Sequence, residues 1–180
     1  MLGETVIRQA AAADVVSVRS VLLAANREFE IVVPAAFYRA YLAEVLDIPS
    51  RSRDGQLLIA ERGGHIVGTV TLYPDASREG WGWPSGWAGI RAVAVEPAVR
   101  GLGIGGQLAQ GCIERARALG AEAACLHTAS FMQAASAMYE RLGFRRAPEF
   151  DRDAAEMFAA GSVEPQITAL AYRLELRKEE

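Results

Sequence analysis

The stretch from Ile90 to Gly106 constrains this chain more than any other: Ile-Arg-Ala-Val-Ala-Val-Glu-Pro-Ala-Val-Arg-Gly-Leu-Gly-Ile-Gly-Gly. In its first half, Ile90, Ala92 and Ala94 alternate with Arg91, Val93 and Val95, and only Arg91 is polar. A strand apolar on both faces belongs in the middle of a covered sheet. Pro97 cannot donate to a ladder, so the strand should end near Val95. Arg100 then precedes a cluster of glycines at Gly101, Gly103, Gly105 and Gly106. Leu108, Ala109, Cys112, Ile113 and Ala116 follow at helical spacing, up to Leu119 and Gly120. The stretch reads strand, glycine loop, helix N-terminus. Bare backbone N–H groups and the positive end of a helix dipole meet there, which makes an anion site, most often for phosphate.

Three ligand-binding loops compete for this pattern. A nucleotide-hydrolase P-loop needs Lys and Ser or Thr after its last glycine, and Gln107 and Leu108 stand there instead. A dinucleotide fingerprint is met literally by Gly101, Gly103 and Gly106. It should turn directly off its strand, with an acidic residue ending the next one. Here Glu96 to Arg100 intervene, and the strand around Ala123 to Thr128 ends without Asp or Glu. The third pattern is R-x-x-G-x-G, met by Arg100, Gly103 and Gly105. A glycine-rich turn without a ligand is the plain alternative, at a cost in backbone entropy.

With 180 residues, 51% hydrophobic and 23% charged, the chain fits one globular domain over 1–180. A net charge of −3 and the lack of a basic run argue against a nucleic-acid binder. Arg or Glu interrupts every apolar run before the ~18 residues of a membrane span. The first residues show no basic-then-apolar leader. Cys112 and Cys125 lack metal spacing and read as buried thiols of a reducing cytoplasm, the expected compartment.

Along the chain, Thr5 to Arg8 is a strand, and a helix runs from about Ala12 to about Phe29. Pro34 opens a second helix through Phe37, Tyr38, Tyr41, Leu42, Val45 and Leu46, which Pro49 stops. Ser50 to Gly55 reads as a polar loop. Gln56 to Glu61 and His65 to Tyr73 form a hairpin about Arg62-Gly63-Gly64. Pro74 to Gly86 is a long loop bearing Asp75, Glu79, Trp81 and Trp83, with Trp87 just beyond. Its tryptophans either line a cleft or anchor the loop. After the central stretch come a strand at Ala123 to Thr128, a helix at Gln133 to Leu142 closed by Gly143, and a strand starting at Phe144 to Ala147. Asp151 to Gly161 reads as a loop or short helix, Ile167 to Leu176 as the last strand and Arg177 to Glu180 as a charged tail. Antiparallel strands first, then parallel crossovers, make a mixed α/β domain.

The pattern of Arg100, Gly103 and Gly105 resembles motif A of the GNAT superfamily of N-acetyltransferases. Ala135-Ser-Ala-Met-Tyr139-Glu-Arg-Leu-Gly-Phe144 resembles its A-x-x-x-Y-E-K-L-G-F segment. The element order is similar too, and the resemblance covers nearly the whole chain. It implies the acyl-CoA N-acyltransferase fold, a central mixed, mostly antiparallel sheet flanked by helices. It implies acetyl-CoA as co-substrate, without a metal. Main-chain groups of Val93, Ala94 and Val95 would pair with the pantetheine arm. Arg100 and the amides of Gly101, Leu102, Gly103, Ile104, Gly105 and Gly106 would hold the pyrophosphate, with Ala135 nearby. Tyr139, whose phenol ordinarily titrates near ~10, would protonate the leaving thiolate.

The chain departs from the family pattern at two positions. Met132 replaces an Asn that contacts the coenzyme, and Gly89 replaces a Glu that serves as base. Glu28, Glu30, Asp75, Glu79, His127 and water are the candidates left for that role. Cys125 and His127 share a strand face without a third group, so direct transfer in a ternary complex is expected rather than a thiol nucleophile. The expected acceptor is a small-molecule or peptide amine. A homodimer is an option, and neither nucleic acid nor membrane is an expected partner. A non-catalytic acyl-CoA-binding protein of the same fold is the alternative.

Overall fold

The computed structural model describes residues 3–176. The charged segment 177–180 lies outside them. Eight strands form one sheet: β1 (Thr5–Gln9), β2 (Gln56–Arg62), β3 (His65–Tyr73), β4 (Trp87–Val95), β5 (Ala123–Ala129), β6 (Arg145–Arg146), β7 (Arg152–Asp153) and β8 (Thr168–Glu175). The spatial order is β1-β2-β3-β4-β5-β8-β6, with β7 also paired to β8. The strand read as central is therefore central. The helices are α1 (Val15–Asn26), α2 (Ala35–Leu46), α3 (Ile48–Asp54), α4 (Ile104–Ala118), α5 (Gln133–Arg141) and α6 (Ala154–Met157).

Both faces of the sheet are covered, and β2 shows how. Leu58 and Ala60 point into a cluster with Leu108, Cys112 and Ile113 of α4. Leu57 and Ile59, one residue out of phase, join Val18, Val21 and Leu22 of α1 on the opposite side. The β2–β3 hairpin turns on Gly63 and Gly64, with φ of 57° and 78°, as a two-residue loop with both φ positive requires. Cys112 and Cys125 are free and fully buried, and burial pushes both thiols up. Among the described residues no helix is long and apolar enough to cross a membrane.

Three readings need correction. Pro49 does not stop α2. It sits in the first turn of α3, where its missing N–H costs nothing, and Asp47 caps that turn by accepting from the Ser50 amide at 3.2 Å. The polar loop at Ser50 to Gly55 is therefore mostly helix. Its Arg51 is buried and donates to the Val45 carbonyl at 2.7 Å. The first helix is also shorter than read: α1 is flanked by 3-10 turns at Ala12–Asp14 and Arg27–Ile31. Lastly, among the described residues only β4 and β5 pair in parallel. β8 returns antiparallel between β5 and β6, so there is one parallel crossover, not several.

Candidate active site

β4 and β5 pair only at Trp87↔Ala123, Ala88↔Ala124 and Gly89↔Cys125. Beyond Gly89 the two strands part. On its other side, β4 slips register against β3 between Thr69 and Thr71, and Ala92 takes a φ of 54°. That bulge turns the strand away from β5 and leaves its β5-facing edge without a strand partner from Ile90 to Val95.

A cleft of about 690 Å³ opens at this split. Its walls bring together Val93, Ala94, Val95, Arg100, Gly101, Gly103, Ile104, Gly105, Gly106, Ala135 and Tyr139. Leu102 is not among them and is 45% exposed. Gly101 and Gly103 have φ of 82° and 76°, a conformation that side chains strain to adopt. A Cβ built on Gly101, Gly103 or Gly106 would meet nothing within 4 Å. At these three positions the loop is a bare cradle at the N-terminus of α4, whereas a Cβ on Gly105 would press on Met138 Sδ at 3.1 Å. The cradle fits the pyrophosphate that the resemblance implies.

Arg100 is less free than its motif suggests. Its guanidinium donates to Glu28 Oε1 at 2.7 Å and to the Ala25 carbonyl at 2.9 Å, tying the glycine loop to the end of α1. Tyr139 is buried on α5. Burial pushes its phenol up. Met132 stands at the N-cap of α5 without a side-chain hydrogen bond and lines the cleft.

A second cavity, of about 110 Å³, shares Tyr41, Val93, Phe131, Met132, Ala135 and Tyr139 with the cleft. Trp81, Arg91, His127, Phe37 and Phe158 complete much of its wall. The tryptophan loop thus divides its labour. Trp81 lines the cavity beneath the Arg91 guanidinium, 3.8 Å from its ring centre. Trp83 is buried against His127 at 4.5 Å and Phe150 at 5.0 Å, as an anchor.

The candidate bases separate by place. Glu28 lines the cleft but is paired with Arg100, and Glu30 is exposed outside it. Asp75 accepts from the amide and hydroxyl of Ser77, at 3.1 and 2.7 Å. His127 pairs Nε2 with the Phe150 carbonyl at 2.8 Å, and burial pulls it down, so the ring is neutral. Since a carbonyl only accepts, Nε2 carries the proton and Nδ1 the lone pair.

Glu79 folds back onto β4. A Cβ on Gly89 would overlap its Oε1, so its carboxyl occupies the space a side chain at 89 would need. Burial pushes that carboxyl up to about 8, against the pull of Arg91 and with a small push from Glu44. Sequence reasoning missed Glu44, which holds Arg91 in an ion pair from α2. It also missed Tyr41, Phe131 and Phe158, whose aromatic character matched ordinary core.

Known proteins resemble this chain in sequence and in fold. The model of the acetyltransferase (GNAT) family matches residues 19–144. The protein named "Probable N-acetyltransferase camello" of Xenopus tropicalis is 35% identical over 108 residues, covering 57% of this chain and 46% of the relative. The chain therefore spans about half the length of that relative. A GNAT-family acetyltransferase from Brucella melitensis, solved with acetyl-CoA, is 26% identical, with a TM-score of 0.57 over 79% of this chain and 84% of that one. The PaiA N-acetyltransferase of Thermoplasma acidophilum, solved with coenzyme A, shares the fold at 14% identity, with a TM-score of 0.69 over 96% and 99% of the two chains. Because the family match runs from within α1 through the Tyr139 segment, well over half of the sequence, the chain belongs to the acetyltransferase (GNAT) family.

Proposed function

We propose that residues 1–180 act as one N-acetyltransferase domain, moving acetyl from acetyl-CoA to a primary amine by direct transfer in a ternary complex. The observation that supports this most is the bare glycine cradle at one end of the cleft, with Tyr139 in its wall. The amides of Gly101 to Gly106 bind the pyrophosphate, and Arg100 adds its charge by exchanging Glu28 for phosphate. The edge of β4 at Val93 to Val95 takes the pantetheine arm as an added strand, and an amide there stabilises the tetrahedral oxyanion. The amine nitrogen attacks the thioester carbon, the C–S bond breaks, the sulfur takes up the Tyr139 proton, and the proton that the nitrogen sheds passes to water, which returns Tyr139 to the phenol.

Burial weakens Tyr139 as an acid, because it favours the neutral phenol. Its share is then to hydrogen-bond the developing thiolate as much as to hand over a proton. Tyr139→Phe should keep fold and coenzyme affinity and lower kcat at the bottom of the ~10²–10⁴ range of a positioned acid, or somewhat below it. The measurement is thiol release at saturating donor and amine, with a viscosity control to show that chemistry limits the rate. A loss under about threefold would assign Tyr139 to packing. The transfer itself is tested on the native chain with a broad amine and peptide panel. Coenzyme binding without amine-dependent thiol release would instead mean a coenzyme-binding protein that does not transfer.

A further inference from the structure

The second cavity says what kind of amine the site takes. We propose, building on the acetyl-transfer reading above, that the acceptor is a monoamine with a compact apolar body, seated against the wall that Trp81 and Phe158 form together, with its nitrogen toward Tyr139. The walls carry this inference. Phe158 meets Phe37, Tyr41 and Trp81 edge-on, at centroid distances of 5.9, 5.3 and 6.0 Å. Such mutually braced rings hold the space open and present apolar surface to it. The Tyr41 hydroxyl is turned away to Asn26 Oδ1 at 2.8 Å.

Charge narrows the choice. Among the described residues, the only charged side chain in the wall is Arg91, and no carboxylate lines the cavity. Arg91 is itself committed to Glu44 and to the Trp81 face. Glu79, the other carboxylate close enough to act on Arg91, is packed against Gly89 and is not part of the wall. His127 is in the wall but neutral. A second ammonium on the acceptor would therefore enter an apolar space whose wall offers it no carboxylate. The same surroundings help a monoamine react. Low polarity favours the uncharged form of an amine whose free pKa is ~10.4, and that form is the nucleophile.

Size narrows it further. A dry apolar cavity of ~150 Å³ admits benzene, so about 110 Å³ suits a branched alkyl group of four or five carbons or a ring protruding into the cleft. Because the cavity and the cleft share Val93 and Tyr139, the nitrogen of such a molecule reaches the place where the pantetheine arm ends.

The test compares 3-methylbutylamine with putrescine and with the blocked tripeptide Gly-Lys-Gly, by thiol release at saturating acetyl-CoA. kcat/KM should favour the monoamine by about tenfold or more. Ala129 lines the cavity but not the cleft. Ala129→Leu should thus raise the KM for 3-methylbutylamine about tenfold and leave acetyl-CoA affinity unchanged by calorimetry. Phe158→Ala, which widens the space, should shift preference toward 2-phenylethylamine. Faster turnover of putrescine or the lysine peptide would overturn the acceptor class and leave acetyl transfer standing. Monoamine binding in the presence of coenzyme A, lost in Ala129→Leu but without thiol release, would keep the cavity assignment and overturn the transfer. No binding of the monoamine would overturn this proposal.

Discussion

Gly89 and Glu79 are one packing decision made at two places in the chain: a side chain at 89 and the carboxyl of Glu79 cannot occupy the same space. The consequence is measurable through pH. In the unfolded chain Glu79 titrates near 4.5, and in the fold it titrates near 8, because burial disfavours its charge. The folded state therefore holds the proton more tightly. Stability is greatest below the unfolded value and falls as pH rises through the folded one. Glu79→Gln keeps the shape and removes the titration. Its midpoint relative to the native chain should rise between pH 5 and pH 9, as read in thermal melts. Displacing a carboxyl's titration by one pH unit is worth ~1.4 kcal/mol, and each kcal/mol moves a chain of this size by about 2–4 °C. A difference that stays flat across that range would mean the carboxyl ionises freely. The missing Glu at 89 could be read from the sequence, because Gly89 sits at a fixed offset from a strand with a clear pattern. What fills its space could not, since Glu79 arrives on a loop whose path no local periodicity reports. Arg100 was found by its spacing to the glycines, but its partner Glu28 is a long-range contact and left no local signal.

At the scale of elements, the N-terminus of α4 makes the sharpest distinction between what the protein needs and what its ligand needs. Gly106 lies inside the helix, without positive φ and with nothing within 4 Å of an added Cβ. Alanine there should stabilise the free protein, since glycine costs a helix interior ~1 kcal/mol, or about 2–4 °C in the melting midpoint. If backbone must approach phosphate closely, the same methyl should weaken acetyl-CoA binding, by about tenfold or more in calorimetry. A stabilised variant with native affinity would move the phosphates away from Gly106. Long periodic elements such as α4 and β3, and the two-glycine hairpin, were legible because local chemistry settles them. α3 was not. A proline after a helix and a proline in the first turn of the next look alike until the Asp47 cap is seen. β6 and β7, two residues each, exist only because β8 lies beside them.

For the whole molecule, the split between β4 and β5 means that the two halves of the sheet are joined unevenly. At one end they are held by three parallel pairs and by the cluster of Trp83, Trp87 and Phe150. Past Gly89 the strands have no ladder between them. That β8 inserts beside β5 rather than extending a parallel run was invisible in the sequence, because strand order is decided by contacts far apart in the chain. The cleft draws its walls from both halves: Val93 to Val95 of β4 and Gly103 to Gly106 at the start of α4 on one side, and Gln133 to Ala135, Met138 and Tyr139 of α5 on the other. A molecule filling it bridges them, so acetyl-CoA should act on the entire fold and not only on the glycine loop. At a hundred times its dissociation constant, a ligand specific for the folded state adds ~2.7 kcal/mol, which for a chain of this size is about 5–11 °C in the melting midpoint. Pantetheine at the same concentration, lacking the pyrophosphate, should give little of that shift. Hydrogen exchange should slow together at Ile90 to Val95 and at Gln133 to Tyr139 when acetyl-CoA is bound. If protection is confined to Arg100 to Gly106, the coenzyme rests on the loop alone, and the two halves of the sheet are held by protein contacts in both states.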